Sequence, residues 1–115
     1  MANLFFQFKK FIVWHDKCAM KVGTDGVLLG AWASVENVKT ILDVGTGSGL
    51  IALMLAQRGH AAIDAIDIAP EAHEQAVGNV RESVFSRRIQ VYLSSLNEYA
   101  GSTTNRYGLI VSNPP

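Results

Sequence analysis

Residues 40–57 join three patterns end to end. Thr40-Ile41-Leu42-Asp43-Val44 is a short apolar run, Gly45-Thr46-Gly47-Ser48-Gly49 is a glycine bend, and residues 50–57 are apolar on nearly every side. A short apolar run before a bend reads as a strand, and an all-round apolar stretch after it reads as a buried helix. The alternation continues. Residues 61–68 predict a second strand, and residues 70 to about 84 a helix with Pro70 at its first position, Glu71 and Glu74 in the opening turn, and Ala76, Val77, Val80 and Val84 along one side. Residues 88–93 predict a third strand, residues 101–105 a polar loop, and residues 107–111 a fourth strand that runs into Ser112-Asn113-Pro114-Pro115. Strands separated by helices call for parallel pairing, so the fold class is α/β, with a doubly wound, mainly parallel sheet.

Ahead of this alternation, residues 4–14 alternate loosely, as an edge strand or hairpin arm does, and then turn through His15-Asp16. Gly23-Thr24-Asp25-Gly26 reads as a turn and cap before a short helix over 27–32. The division is an N-terminal basic and aromatic segment with a short helix, residues 1–33, and the alternating portion, residues 34–115. Ten Lys and Arg balance ten Asp and Glu, which argues against a uniformly basic nucleic-acid binder. The balance is local, however: residues 1–21 carry Lys9, Lys10, Lys17 and Lys21 against Asp16 alone, a net of +3. Interleaved with Phe5, Phe6, Phe8, Phe11 and Trp14, that head suits a phosphate backbone with stacked bases, and equally one side of a core. The hydrophobic share of 49% excludes disorder. Cys18 is the single cysteine, so no disulfide within the chain and no multi-cysteine zinc site is expected, and it reads as a small core residue. His15, His60 and His73 lack ligand spacing, and no metal is expected. No run approaches the roughly twenty apolar residues of a membrane span, and a cytoplasmic setting is expected.

A glycine bend between a strand's end and a helix's start lets backbone N–H groups approach a ligand, where open α/β sheets bind cofactors. The spacing is G-x-G-x-G, one residue short of the dinucleotide fingerprint, and no lysine follows Gly49 as a Walker loop requires. Asp67 ends the second strand 22 residues after Gly45, where a carboxylate can accept hydrogen bonds from ribose hydroxyls. The pair therefore points to a nucleoside-like cofactor without a 2′-phosphate. Asp64, earlier in the same strand, is expected to be exposed and far from the site. After the fourth strand, two prolines hold an extended arm that cannot continue the sheet. The Asn113 side-chain oxygen and the Pro114 carbonyl are suited to accept hydrogen bonds from a conjugated amine such as the exocyclic nitrogen of adenine.

Leu42-Asp43-Val44-Gly45-Thr46-Gly47-Ser48-Gly49, then Asp67, then Asn113-Pro114-Pro115 resemble the ordered motifs of class I S-adenosylmethionine-dependent methyltransferases of the branch that methylates amide or amine nitrogens. The stretch from Phe8 through Lys21-Val22-Gly23-Thr24-Asp25-Gly26 to Trp32 is similar to the opening of the bacterial tRNA1(Val) adenine-37 N6-methyltransferase family. The resemblance implies a Rossmann-like fold and S-adenosylmethionine as cofactor, with tRNA as partner and N6-methylation of adenine as reaction. It places Gly45, Gly47 and Gly49 against the methionine part of the cofactor, and Asp67 on its ribose. Asp43 would orient the loop or the cofactor's amino group, and Lys21, Thr24 and Asp25 would form a covering segment. Asn113, Pro114 and Pro115 form the catalytic arm. Ser95 stands where relatives usually carry an aspartate facing the cofactor's adenine, which implies lower affinity. The same arm also serves methylation of ribosomal-RNA guanine or of a protein glutamine. The chain stops before the aromatic residue that should follow Pro115, so it is expected to be the first part of a longer fold, active or a cofactor-binding remnant.

Overall fold

The computed structural model describes residues 5–7, 12–14, 33 and 35–112. Two short strands, β1 (Phe5–Gln7) and β2 (Ile12–Trp14), pair antiparallel with Phe5 opposite Trp14 and Gln7 opposite Ile12. The alternating run thus contributes two paired strands; the expected turn at His15-Asp16 and the helix over 27–32 lie outside the described residues.

The main sheet contains β3 (Thr40–Val44), β4 (Ala62–Asp67), β5 (Ile89–Leu93) and β6 (Leu109–Ser112), in the order β5-β4-β3-β6 and parallel throughout. Helices α1 (Leu50–Arg58), α2 (Pro70–Arg81) and α3 (Leu96–Ser102) make the three crossovers. The doubly wound α/β expectation holds. Strand β3 is central, and Ile41, Leu42 and Asp43 are buried on it, as both faces of a parallel sheet require. On one face, Ile41, Ile63, Ala65, Ile89 and Val111 pack with Leu53, Leu55 and Ala56 of α1 and Val80 of α2. On the other, Leu42 and Ile66 pack with Tyr99 of α3, and Val44 and Tyr107 join them.

Local chemistry explains the boundaries. Gly59 ends α1, and the Arg88 guanidinium donates to the carbonyls of Ala56 and Ala61 at 2.6 and 3.0 Å, satisfying acceptors at that helix end. Pro70 opens α2 as expected, but α2 ends at Arg81 and leaves Val84 80% exposed. The Ser83 hydroxyl donates to the Val80 carbonyl there and turns the chain away. The buried stripe of α2 is Ala72, Gln75, Ala76, Asn79 and Val80, more polar than the valines suggested. Helix α3 is a correction: Gly101 and Ser102, expected in a loop, form its last turn. Among the described residues no helix is long and apolar enough to cross a membrane.

Candidate functional site

The chain enters the sheet at β3, moves outward through β4 to β5, and returns to the other side of β3 as β6. Where successive crossovers diverge in this way, the carboxyl ends of the strands leave a crevice. Val44 pairs with Ser112 at that end, so the glycine bend leaves β3 beside the last residue of β6. Asn113, Pro114 and Pro115, like Lys21, Thr24 and Asp25, lie outside the described residues.

The glycine bend follows β3 directly at this end of the sheet. Gly45, Gly47 and Gly49 have φ of 72°, 56° and 87°, a left-handed conformation that L side chains rarely adopt. Among the described residues a Cβ on Gly45 or Gly47 would meet nothing within 4 Å, so these two border space that the described residues leave open, whereas Gly49 faces the Cβ of Ala76 at 3.6 Å. The bend is tied to β4 by the Gly45 and Thr46 amides, which both donate to the Ile66 carbonyl at 2.9 and 3.0 Å. From the other side the buried Asn79 amide donates to the Ser48 carbonyl at 2.8 Å.

Two carboxylates meet this bend. Asp67 turns toward it: Oδ2 accepts from the Gly47 amide and Oδ1 from the Ala69 amide, both at 2.9 Å. Each oxygen keeps a further lone-pair direction for a ligand hydroxyl. The Gly47 amide is therefore engaged by Asp67. Asp43 is only 1% exposed; its Oδ2 accepts from the Thr46 hydroxyl at 2.8 Å, and its Oδ1 has no hydrogen-bond partner among the described residues. Burial pushes the Asp43 carboxyl up to about 6, and the neighbouring Asp67 charge acts in the same direction. The Thr46 hydroxyl and the Ala52 backbone amide oppose that shift. An unsatisfied buried acceptor is uncommon and calls for a donor from outside these residues.

Next to Asp67, at the ends of β4 and β5, Ile68, Leu93 and Leu96 are large apolar side chains left exposed. Ser95 sits among them, and its hydroxyl accepts from the Glu98 amide at 3.1 Å as the N-cap of α3. Thr46, Asn79 and the apolar trio Ile68, Leu93 and Leu96 escaped the sequence reading. Asn79 carried a signal, a polar residue at helical spacing between Ala76 and Val80. Asp64 is a further correction. It is half-buried, with the Tyr107 and Tyr99 hydroxyls 2.7 and 3.1 Å from its Oδ2, so exposure does not account for it.

The fold and this crevice define a methyltransferase domain: residues 20–115 match the methyltransferase small domain, and the chain belongs to that family. Over its whole length it is 68% identical to a tRNA1(Val) (adenine(37)-N6)-methyltransferase of Parabacteroides distasonis, covering 48% of that protein. It is 56% identical to the protein of the same name in Enterobacter sp. strain 638, with 96% of this chain and 46% of that one aligned. The chain spans about half the length of the curated relatives it matches. Among solved structures, Arabidopsis thaliana protein arginine methyltransferase 10 superposes with a TM-score of 0.66 at 25% identity, over 77% of this chain and 25% of that one.

Proposed function

We propose that this chain is the cofactor-binding portion of an S-adenosylmethionine-dependent methyltransferase that methylates N6 of an adenine in tRNA, at position 37 of tRNA1(Val). The observation that carries the reading is the Asp67 carboxylate, fixed against the glycine bend by the Gly47 amide beside open space. The unpartnered Oδ1 of Asp43 supplies a second test of fit: a buried acceptor at the same strand end suits a cationic amino group. Exposed Ile68, Leu93 and Leu96 suit the apolar faces of a purine.

When bound, S-adenosylmethionine supplies an electrophilic methyl group on a sulfonium. The residues of this chain position and polarise. Asp67 binds ribose hydroxyls through its free lone-pair directions, and Asp43 orients the bend through Thr46 and attracts the amino group. Gly45 and Gly47 keep side chains out of the space beside them. Lys21, Thr24 and Asp25 serve as a cover, Ser95 lies at the adenine side, and Asn113 with Pro114 accepts hydrogen bonds from the target amine on the stiff arm that Pro115 extends. These roles are the ones that the resemblance of its motifs implies. Pulling on the amine's N–H bonds exposes the lone pair that conjugation withdraws, so no strong base is required. The basic, aromatic head of residues 1–21 is the candidate tRNA contact.

Calorimetric titration with S-adenosylhomocysteine, repeated after Asp67→Ala, tests the cofactor site. Loss of two charge-assisted hydrogen bonds predicts affinity weaker by about two orders of magnitude. Equal binding by the two proteins removes the ribose assignment. Methyl transfer from labelled cofactor to unmodified tRNA tests the substrate.

A further inference from the structure

On the sheet face opposite α1 and α2, three side chains from three elements meet. Asp64 stands in the middle of β4, Tyr99 on α3, and Tyr107 just before β6. The Tyr107 hydroxyl donates to Asp64 Oδ2 at 2.7 Å, and the Tyr99 hydroxyl lies 2.6 Å from that of Tyr107 and 3.1 Å from the same Oδ2. Two phenolic protons serve three contacts, so the two short ones form a chain: Tyr99 donates to Tyr107, and Tyr107 to Asp64. Burial, the Asp64 carboxylate and the Tyr99 hydroxyl all push the Tyr107 phenol up, which keeps it a donor at neutral pH.

Packing alone does not explain this arrangement. Helix α3 has seven residues, and Tyr99 is its one buried side chain. A cavity of about 530 Å³ runs beside it, lined by Tyr92, Ser94, Glu98, Tyr99, Thr103 and Asn105 among others. The Tyr99 ring is the anchor of α3 on Leu42 and Ile66, and its hydroxyl, tied to Tyr107 and Asp64, fixes the rotation of α3 about its axis. The same helix carries the candidate site's far corner. The Tyr99 amide donates to the Ser95 carbonyl at 3.0 Å, and the Ser94 amide to the Asp67 carbonyl at 2.9 Å. A turn of α3 therefore shifts Ser94 and Ser95 relative to Asp67.

We propose that Asp64, Tyr99 and Tyr107 are positioning residues that hold the Ser94–Ser95 corner in register with Asp67 and so set the affinity for the adenosine half of the cofactor. The proposal rests on the cofactor reading of the site. The three act through α3 rather than by touching the ligand.

Tyr107→Phe removes the middle hydroxyl and keeps the ring; Tyr99→Phe breaks the chain at its end while leaving the Tyr107–Asp64 bond. Titration with S-adenosylhomocysteine and with 5′-methylthioadenosine, which carries the adenosine half, is expected to weaken about fivefold to tenfold for both ligands in Tyr107→Phe, and by less in Tyr99→Phe. Amide exchange at Glu98 and Tyr99, followed by NMR below the unfolding midpoint, should accelerate in parallel. Unchanged affinity for both ligands with only a lower melting temperature overturns the positioning role and leaves a structural one. If the unsubstituted chain binds neither ligand, the cofactor reading itself fails and takes this role with it.

Discussion

Asp43 and Asp64 sit on adjacent strands, yet the register sets Asp43 opposite Ala65 and Asp64 opposite Leu42, which puts the two acids on opposite faces of the sheet. Asp64 is held by two tyrosine hydroxyls of its own fold, Tyr107 directly and Tyr99 through Tyr107, whereas Asp43, met by the Thr46 hydroxyl and the Ala52 amide, keeps a buried oxygen with no partner among the described residues. Residue type and strand position do not separate them; the origin of their donors does. A carboxylate whose donors come from the chain is committed to holding the fold, and one left short of a donor under burial is available to a ligand.

That contrast is sharpest in its pH dependence. The native Asp43 pKa near 6 lies above its ordinary value of 3.8, so between these values the folded protein holds the proton more tightly than the unfolded chain. Stability is therefore fullest below about pH 4 and declines as pH rises through 6, a contribution of about 3 kcal/mol at full burial. Urea unfolding at pH 4.5 and pH 7 should show this component in the wild type, and Asp43→Asn should lack it. A slope that survives the substitution would mean that the proton resides elsewhere. S-adenosylhomocysteine should bind more tightly as pH rises through 6, because the charged form attracts its ammonium.

The two acids also mark where the sequence was readable. The glycine bend, Asp43 and Asp67 were legible because local order determines them: a strand end, positive φ at Gly45, Gly47 and Gly49, and an acid closing the next strand. Asp64 was not, because its partners come from 35 and 43 residues away and no local pattern announces them. Helix α3 was missed although Ser95-Leu96-Asn97-Glu98 has the form of a capping box. The Ser95 hydroxyl receives the Glu98 amide, as that box requires.

A smaller effect belongs to the bend beside Asp43. Gly47 has φ of 56° and a Cβ there meets none of the described residues, so Gly47→Ala feels backbone strain, a loss of about 1 to 2 kcal/mol in chemical unfolding. Its methyl group also enters the space assigned to the ligand. Affinity for S-adenosylhomocysteine should therefore fall even where the variant remains fully folded, and retained affinity would empty that space of its assigned role.

The smallest effect lies on the face of Asp64. Ile110 is 60% exposed on β6, while its neighbour Val111 is buried against the α1 and α2 side. Ile110→Thr keeps the β-branched shape that suits a strand and removes apolar surface already in contact with water. Its stability in urea should stay within about 0.5 kcal/mol of the wild type. A loss well beyond that would mean Ile110 is covered in solution. The face that holds Asp64, Tyr99 and Tyr107 would then be packed against something, and α3 would owe its position to that cover as well as to the three hydrogen-bonded side chains.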